Sequence, residues 1–310
     1  MLSIFALLGL ALSAFVVAGP GGDLFSDDSD ADAPPEGDDL VEGEDILTSE
    51  GFMADQGAAP DNVEGYLSDE GQAGTSGDAG NNVMFGTDAA DSMYALDGDD
   101  YLHGEDGDDI LSGGAGVDEI HGGRGQDQLY GEAGDDFVFG HTGDDILDGG
   151  DGNDNMDGGD GHDTLIGGAG DDRLSGNLGD DVLNGGIGSD TLFGGLGDDV
   201  IDGRGDHEQD FLNGGAGDDT LMIGDGDIAS GGDGADTFAF DDTQSAFVSD
   251  FNPDEDKIEL AYDADSSEPV VSFTETDAGV TLFADGEEVA VFAGLTALDM
   301  VGVPVVLMPA

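Results

Sequence analysis

From Gly86 onward one apolar residue returns every nine positions, and the period runs without slip through thirteen units ending at Asp202. Units such as GGAGVDEIH from Gly113, GGRGQDQLY from Gly122 and GGAGDDRLS from Gly167 show which positions are held. The eighth is always Leu, Ile, Val or Met, and the sixth is Asp in all thirteen. The first and fourth are Gly in twelve units each, with Ala95 and Ala89 the exceptions, while the fifth, seventh and ninth vary. One inward apolar side chain between two outward ones predicts a very short strand. Glycine at the first and fourth positions predicts a sharp turn with positive φ before it. Two units then make one coil of a solenoid, with equivalent residues of units two apart stacked at about 4.8 Å.

After Asp202 the rhythm changes. The unit from Gly203 to Asn213 carries two extra residues and puts its acid at Asp210, and GGAGDDTLM restores the pattern with Asp219. The stretch from Ile223 to Ser230 is one residue short and has Ile228 where the acid belongs, which predicts a gap there; GGDGADTFA, with Asp236, closes the block. Beyond Phe238 glycine thins out, and apolar runs at 246–251, 257–262, 270–273 and 280–283 predict short antiparallel strands, with Asp285-Gly286 as a hairpin turn.

Ahead of the repeats lie two other compositions. Leu2 to Ala18 is an apolar run with no Lys or Arg before it, read as a membrane anchor, as a signal cut near Gly19, or as a buried element. Residues 20–85 have the composition of a solvated acidic linker. The run Asp28, Asp30, Asp32 within it fails as an EF-hand loop, because Ala33, Pro34 and Pro35 follow and Asp39 stands at the twelfth place. The expected organisation is therefore an apolar segment 1–19, a linker 20–85, a repeat block 86–239 and a β cap 240–310.

Charge decides what the repeats need. The chain of 310 residues has 74 Asp plus Glu against 4 Lys plus Arg, a net charge of -70. Nucleic acid is excluded as a partner, since phosphate contacts require clustered cations. Cys is absent, so no disulfide holds the fold. Sixth-position Asp residues of units two apart would form two ladders of like charge, which repel unless a divalent cation sits between rungs.

These nonapeptides, thirteen in phase, resemble the repeats-in-toxin (RTX), or haemolysin-type, calcium-binding family. The resemblance implies an all-β fold, a right-handed parallel β-roll with a C-terminal β cap, and Ca²⁺ held by sixth-position Asp and turn carbonyls. The implied ligands are Asp100, Asp109, Asp118, Asp127, Asp136, Asp145, Asp154, Asp163, Asp172, Asp181, Asp190 and Asp199, continued by Asp210, Asp219 and Asp236, for roughly ten or more ions. Asp91, in the degenerate unit GTDAADSMY, is expected to cap the roll instead. The stretch DTFAFDD followed by VSDFNPDEDKIEL is similar to serralysin-type carboxy-terminal regions, which implies type I secretion machinery as a partner and an extracellular location; hydropathy separately offers residues 2–18 as a membrane contact.

An enzyme is not expected. No HExxH or GxSxG occurs, and the repeats and linker leave no room for a catalytic domain. A cell-surface or matrix partner has one clue: His103 and His121, eighteen apart at ninth positions, stack on one outer face with Tyr101, Phe137 and Phe139. Outward strand positions favour aromatics in any case, and two stacked imidazoles lack the further ligands a transition metal needs.

Overall fold

The computed structural model describes residues 74–241 and 245–309. The apolar segment 2–18 and most of the linker lie outside the described residues. Within them every regular element is a strand, and successive strands alternate as far as Lys257–Tyr262 between two sheets of 12 and 13 strands. From Thr75–Ser76 to Ala246–Val248 each strand pairs in parallel with the strand two places away. Asn155 lies beside Arg173 in one sheet and Thr164 beside Val182 in the other, so one coil is 18 residues, as the doubled period requires.

The strands are longer than predicted. Each full one, such as Gln128–Ala133, runs from the seventh position of one unit through the third of the next. Side-chain alternation explains the rest: the eighth-position residues point between the sheets and form a fully buried file that includes Leu102, Ile120, Leu147, Leu174 and Leu212. A buried leucine of this kind contributes about 2 kcal/mol of transfer free energy. That is modest for a coil of 18 residues whose backbone must be ordered.

The roll begins before Gly86. Strands Thr75–Ser76 and Val83–Phe85 already pair with the first coils, and Met84 is fully buried. The reason is that Asn81, Asn82 and Met84 occupy fifth, sixth and eighth positions of a further unit with Asn in place of Asp. The insertion in 203–213 is absorbed locally: the coil there lengthens to 20 residues, Thr191 pairing with Phe211, and shortens to 17 in the next, Phe211 pairing with Ile228.

The cap departs from the antiparallel expectation. The hairpin of Gly279–Ala284 and Glu287–Ala293 forms as predicted, with Asp285 and Gly286 both at positive φ. Yet both sheets first continue in parallel: Glu287–Ala293 pairs with Ala246–Val248, and Val305–Pro309 with Lys257–Tyr262. An open solenoid end offers a parallel edge, and the nearest way to satisfy its backbone groups is to extend it. Phe238, Phe251 and Phe292 then close the core end, with ring centroids 5.5 and 5.0 Å apart.

Candidate metal centre

The turn between strands is where the chemistry collects. The fourth-position glycines have positive φ, 137° at Gly116 for example. The first-position glycines do not; it is the second position that turns left-handed, as at Gly123 (117°) and even at Glu132 (74°). The first glycine is required for space. A Cβ on Gly131 would lie 2.6 Å from Asp136 Oδ2 and 2.6 Å from the carbonyl oxygen of Gly149 on the next coil.

The sixth-position Asp residues are buried in two ladders, one along each edge of the roll. In one, the backbone N–H of Asp100 donates to Asp118 Oδ1, Asp118 to Asp136, Asp136 to Asp154, Asp154 to Asp172, Asp172 to Asp190, and Asp190 to Asp210, each at 2.8 Å. The other runs from Asp91 through Asp109, Asp127, Asp145, Asp163, Asp181 and Asp199 to Asp219 and Asp236. All fifteen expected ligands therefore stand in these two files.

The predicted gap at Ile228 does not exist. Asp227, one residue earlier, takes the rung: it is 0% exposed, and its Oδ1 accepts from the Asp210 N–H at 3.0 Å. The one-residue deletion falls inside the turn, so the acid keeps its place while the residue count shifts. Asp256 extends the other ladder into the cap in the same manner.

Each ladder spends Oδ1 on the neighbouring coil and leaves Oδ2 behind. Oδ2 is buried without a hydrogen-bond partner in Asp100, Asp109, Asp118, Asp127, Asp136, Asp145, Asp154, Asp163, Asp172, Asp181, Asp190, Asp199 and Asp219. A buried carboxylate oxygen with no donor is costly and calls for a positive partner. Consistently, burial and then neighbouring carboxylates push Asp210 up to about 8, and push Asp118 and Asp145 up to about 7.

The ladder ends differ in a way that supports this accounting. Asp91 Oδ2 accepts from the Thr87 N–H at 2.7 Å, Asp227 Oδ2 from Gly224 N–H at 2.6 Å, and Asp256 Oδ2 from Asn252 N–H at 2.7 Å. At the start of the first ladder Asn82 replaces the acid, its own amide hydrogen-bonded to the Gly80 carbonyl. Asp227 and Asp256 thus have both oxygens taken, whereas Asp91 keeps a buried Oδ1 without a partner and most of the interior rungs keep an Oδ2.

The donor set is all oxygen, with one carboxylate oxygen per rung beside backbone carbonyls, which fits a hard divalent cation such as Ca²⁺. Among the described residues no three acidic, histidine or cysteine side chains close on one point, so the carbonyls of the turns must complete any such site.

The fifth position, which varies in sequence, has a structural task. Asp99, Asp135, Asp180 and Asp198 each accept from a backbone N–H of the following coil, as in Asp198 N–H to Asp180 Oδ1 at 2.9 Å. This exposed outer ladder points opposite to the buried one. The recurrence of Asp and Asn at that position was its available signal.

Comparison with known proteins agrees with this geometry. The family description "RTX calcium-binding nonapeptide repeat (4 copies)" matches residues 76–111, 112–147, 130–165, 148–183, 175–207 and 208–227. The repeat block belongs to the RTX calcium-binding family. No curated protein matches the chain. Among solved structures it is similar to the extracellular lipase LipA from Serratia marcescens, at 17% identity and a TM-score of 0.19. The match covers 77% of this chain but only 41% of that one. The roll itself stands on its own strand pairing. RTX repeats bind Ca²⁺, so calcium is a partner of this repeat block.

Proposed function

We propose that this protein is a secreted or cell-surface calcium binder whose roll assembles when Ca²⁺ meets the two Asp ladders outside the cell. The observation that carries this is the file of buried, unpartnered Oδ2 atoms repeated on successive coils. The ligands are the sixth-position Asp residues from Asp100 to Asp236, while Asp227, with both oxygens hydrogen-bonded, closes its ladder. The ordinary core is thin, so cation binding and folding are one equilibrium.

Extracellular calcium modules have apparent Kd values of about 10⁻⁴ to 10⁻³ M. At a free concentration about thirty times Kd each site contributes about 2 kcal/mol net, and about a dozen sites on the order of 20 kcal/mol. At the micromolar Ca²⁺ of a cell interior that sum vanishes, which keeps the chain unfolded for export. Residues 240–310 serve as the cap and as the segment addressed by a type I exporter, and 2–18 as signal or tether. The role is binding, without catalysis. Among the described residues no helix is long and apolar enough to cross a membrane.

The test is a Ca²⁺ titration of the full chain by far-ultraviolet circular dichroism, with Mg²⁺ as control and calorimetry for stoichiometry. A Ca²⁺-specific transition with about ten or more ions is expected. A full β signal at neutral pH in excess chelator would sink the proposal.

A further inference from the structure

One histidine group on the outer face of the 13-stranded sheet is not used by the calcium ladders. His121 lies on strand Glu119–Arg124 and His141 on strand Phe137–Thr142, the next in that sheet. His141 is a second-position residue at φ 75°, and that left-handed turn brings its ring across to the previous coil. His121 Nδ1 and His141 Nε2 are 2.9 Å apart. On the other side of the same ring, His121 Nε2 lies 3.1 Å from Glu119 Oε1. His121 is held in place by Phe139, stacked at 4.8 Å and 10°, and by His103 at 5.6 Å and 25°.

The tautomers follow from these contacts. A carboxylate only accepts, so His121 Nε2 carries its proton toward Glu119 and Nδ1 presents a bare lone pair. His141 Nε2 must then donate into it, and a single proton separates two imidazole nitrogens. A carboxylate that fixes one ring nitrogen and leaves the other free is the outer-shell arrangement that orients and strengthens a metal-ligating histidine.

We infer that His121 and His141, oriented by Glu119, form a binding site for a divalent first-row transition metal such as Zn²⁺ or Cu²⁺, separate from the calcium ladders. The ion takes the place of the shared proton. Two zinc–imidazole bonds of about 2.0–2.1 Å need the nitrogens to move apart only slightly in a bent geometry. Imidazole suits these metals and not Ca²⁺, which keeps the two classes of site apart. The site is open, with two protein ligands and the remaining positions left to water or to His103, and it is no closed cluster of three side chains. The net charge of -70 raises the local concentration of any cation around it.

The experiment is calorimetric titration of the full chain with Zn²⁺ at saturating Ca²⁺, paired with Cu²⁺ electron paramagnetic resonance to detect nitrogen ligands. The variants are His121→Gln, His141→Asn, Glu119→Gln and, as a distant control, His162→Ala. Asn is chosen at 141 because Asn177 occupies the equivalent left-handed position at the same φ of 75°. Circular dichroism in Ca²⁺ verifies the fold of each sample. The expected result is one Zn²⁺ equivalent and a two-nitrogen Cu²⁺ signal, both lost in His121→Gln and His141→Asn and retained in His162→Ala. Glu119→Gln should weaken affinity about tenfold. Zn²⁺ uptake that survives both histidine replacements, or that falls equally in His162→Ala, overturns the inference.

Discussion

Replacing Asp145 by Asn should reverse in sign between low and high calcium. Asp145 is 1% exposed; its Oδ1 accepts from the Asp127 N–H at 2.8 Å, and its Oδ2 has no partner. Asn keeps the acceptor and puts an N–H₂ where the orphan oxygen stood. A Cβ on Gly140 would lie 2.5 Å from that oxygen and 2.6 Å from the Gly158 carbonyl, so the new donor has an acceptor close by. Burial first, then Asp127 and Asp163, raises Asp145 from 3.8 to about 7. At 1.36 kcal/mol per pK unit the ionised rung costs the metal-free roll at most about 4 kcal/mol above pH 7. Binding recovers about 4 kcal/mol only when free Ca²⁺ reaches about a thousand times the intrinsic Kd of that rung. Below that concentration Asp145→Asn is the more stable protein; above it the wild type is. Circular dichroism against Ca²⁺ in denaturant would locate the crossing, and calorimetry should count one ion fewer in the variant. Equal ion counts, with unfolding midpoints that move the same way at every Ca²⁺ concentration, would refute the assignment of Oδ2 to the cation.

Three further outcomes follow from the same geometry. In chelator, lowering the pH should bring back β structure without metal. The folded pKa values of Asp118 (about 7), Asp127 (about 6) and Asp210 (about 8) lie above the ordinary 3.8, so this stability is complete below about pH 4 and is lost as pH rises through 6 to 8; a coil spectrum at pH 4 would contradict it. Gly131→Ala forces a Cβ within 2.6 Å of both Asp136 Oδ2 and the Gly149 carbonyl and should cost about 1–3 kcal/mol in saturating Ca²⁺, read as a lower melting temperature with one weakened site. Asn177→Ala leaves a Cβ residue at φ 75° and removes the 2.8 Å bond from Asn177 Nδ2 to Asp157 Oδ1, for a loss of about 1–2 kcal/mol by denaturant unfolding, with the ion count unchanged.

The repeat was open to reading because a solenoid has almost no long-range choice: each coil meets only its neighbours, so a constraint at one position recurs nine residues later. Leu102, Leu147 and Leu192 declare themselves as core by period alone, and Asp100 to Asp199 as one chemical series. Where the period breaks, counting failed. Asp227 and Asp256 join the ladders through backbone pairing across turns of changed length, which no fixed spacing reveals.

Sequence by itself determined the all-β solenoid, the buried file of aliphatic side chains and the need for a multiply charged cation, since these depend on periodicity and net charge. Only the tertiary structure decided which oxygen of the ladder Asp residues is spent on the neighbouring coil and which is left without a partner, and why the first glycine is needed for space and the second position for its φ. It also decided that His141 reaches His121. These are relations between coils 18 or more residues apart, set by side-chain direction and backbone sign, and a string of letters carries neither.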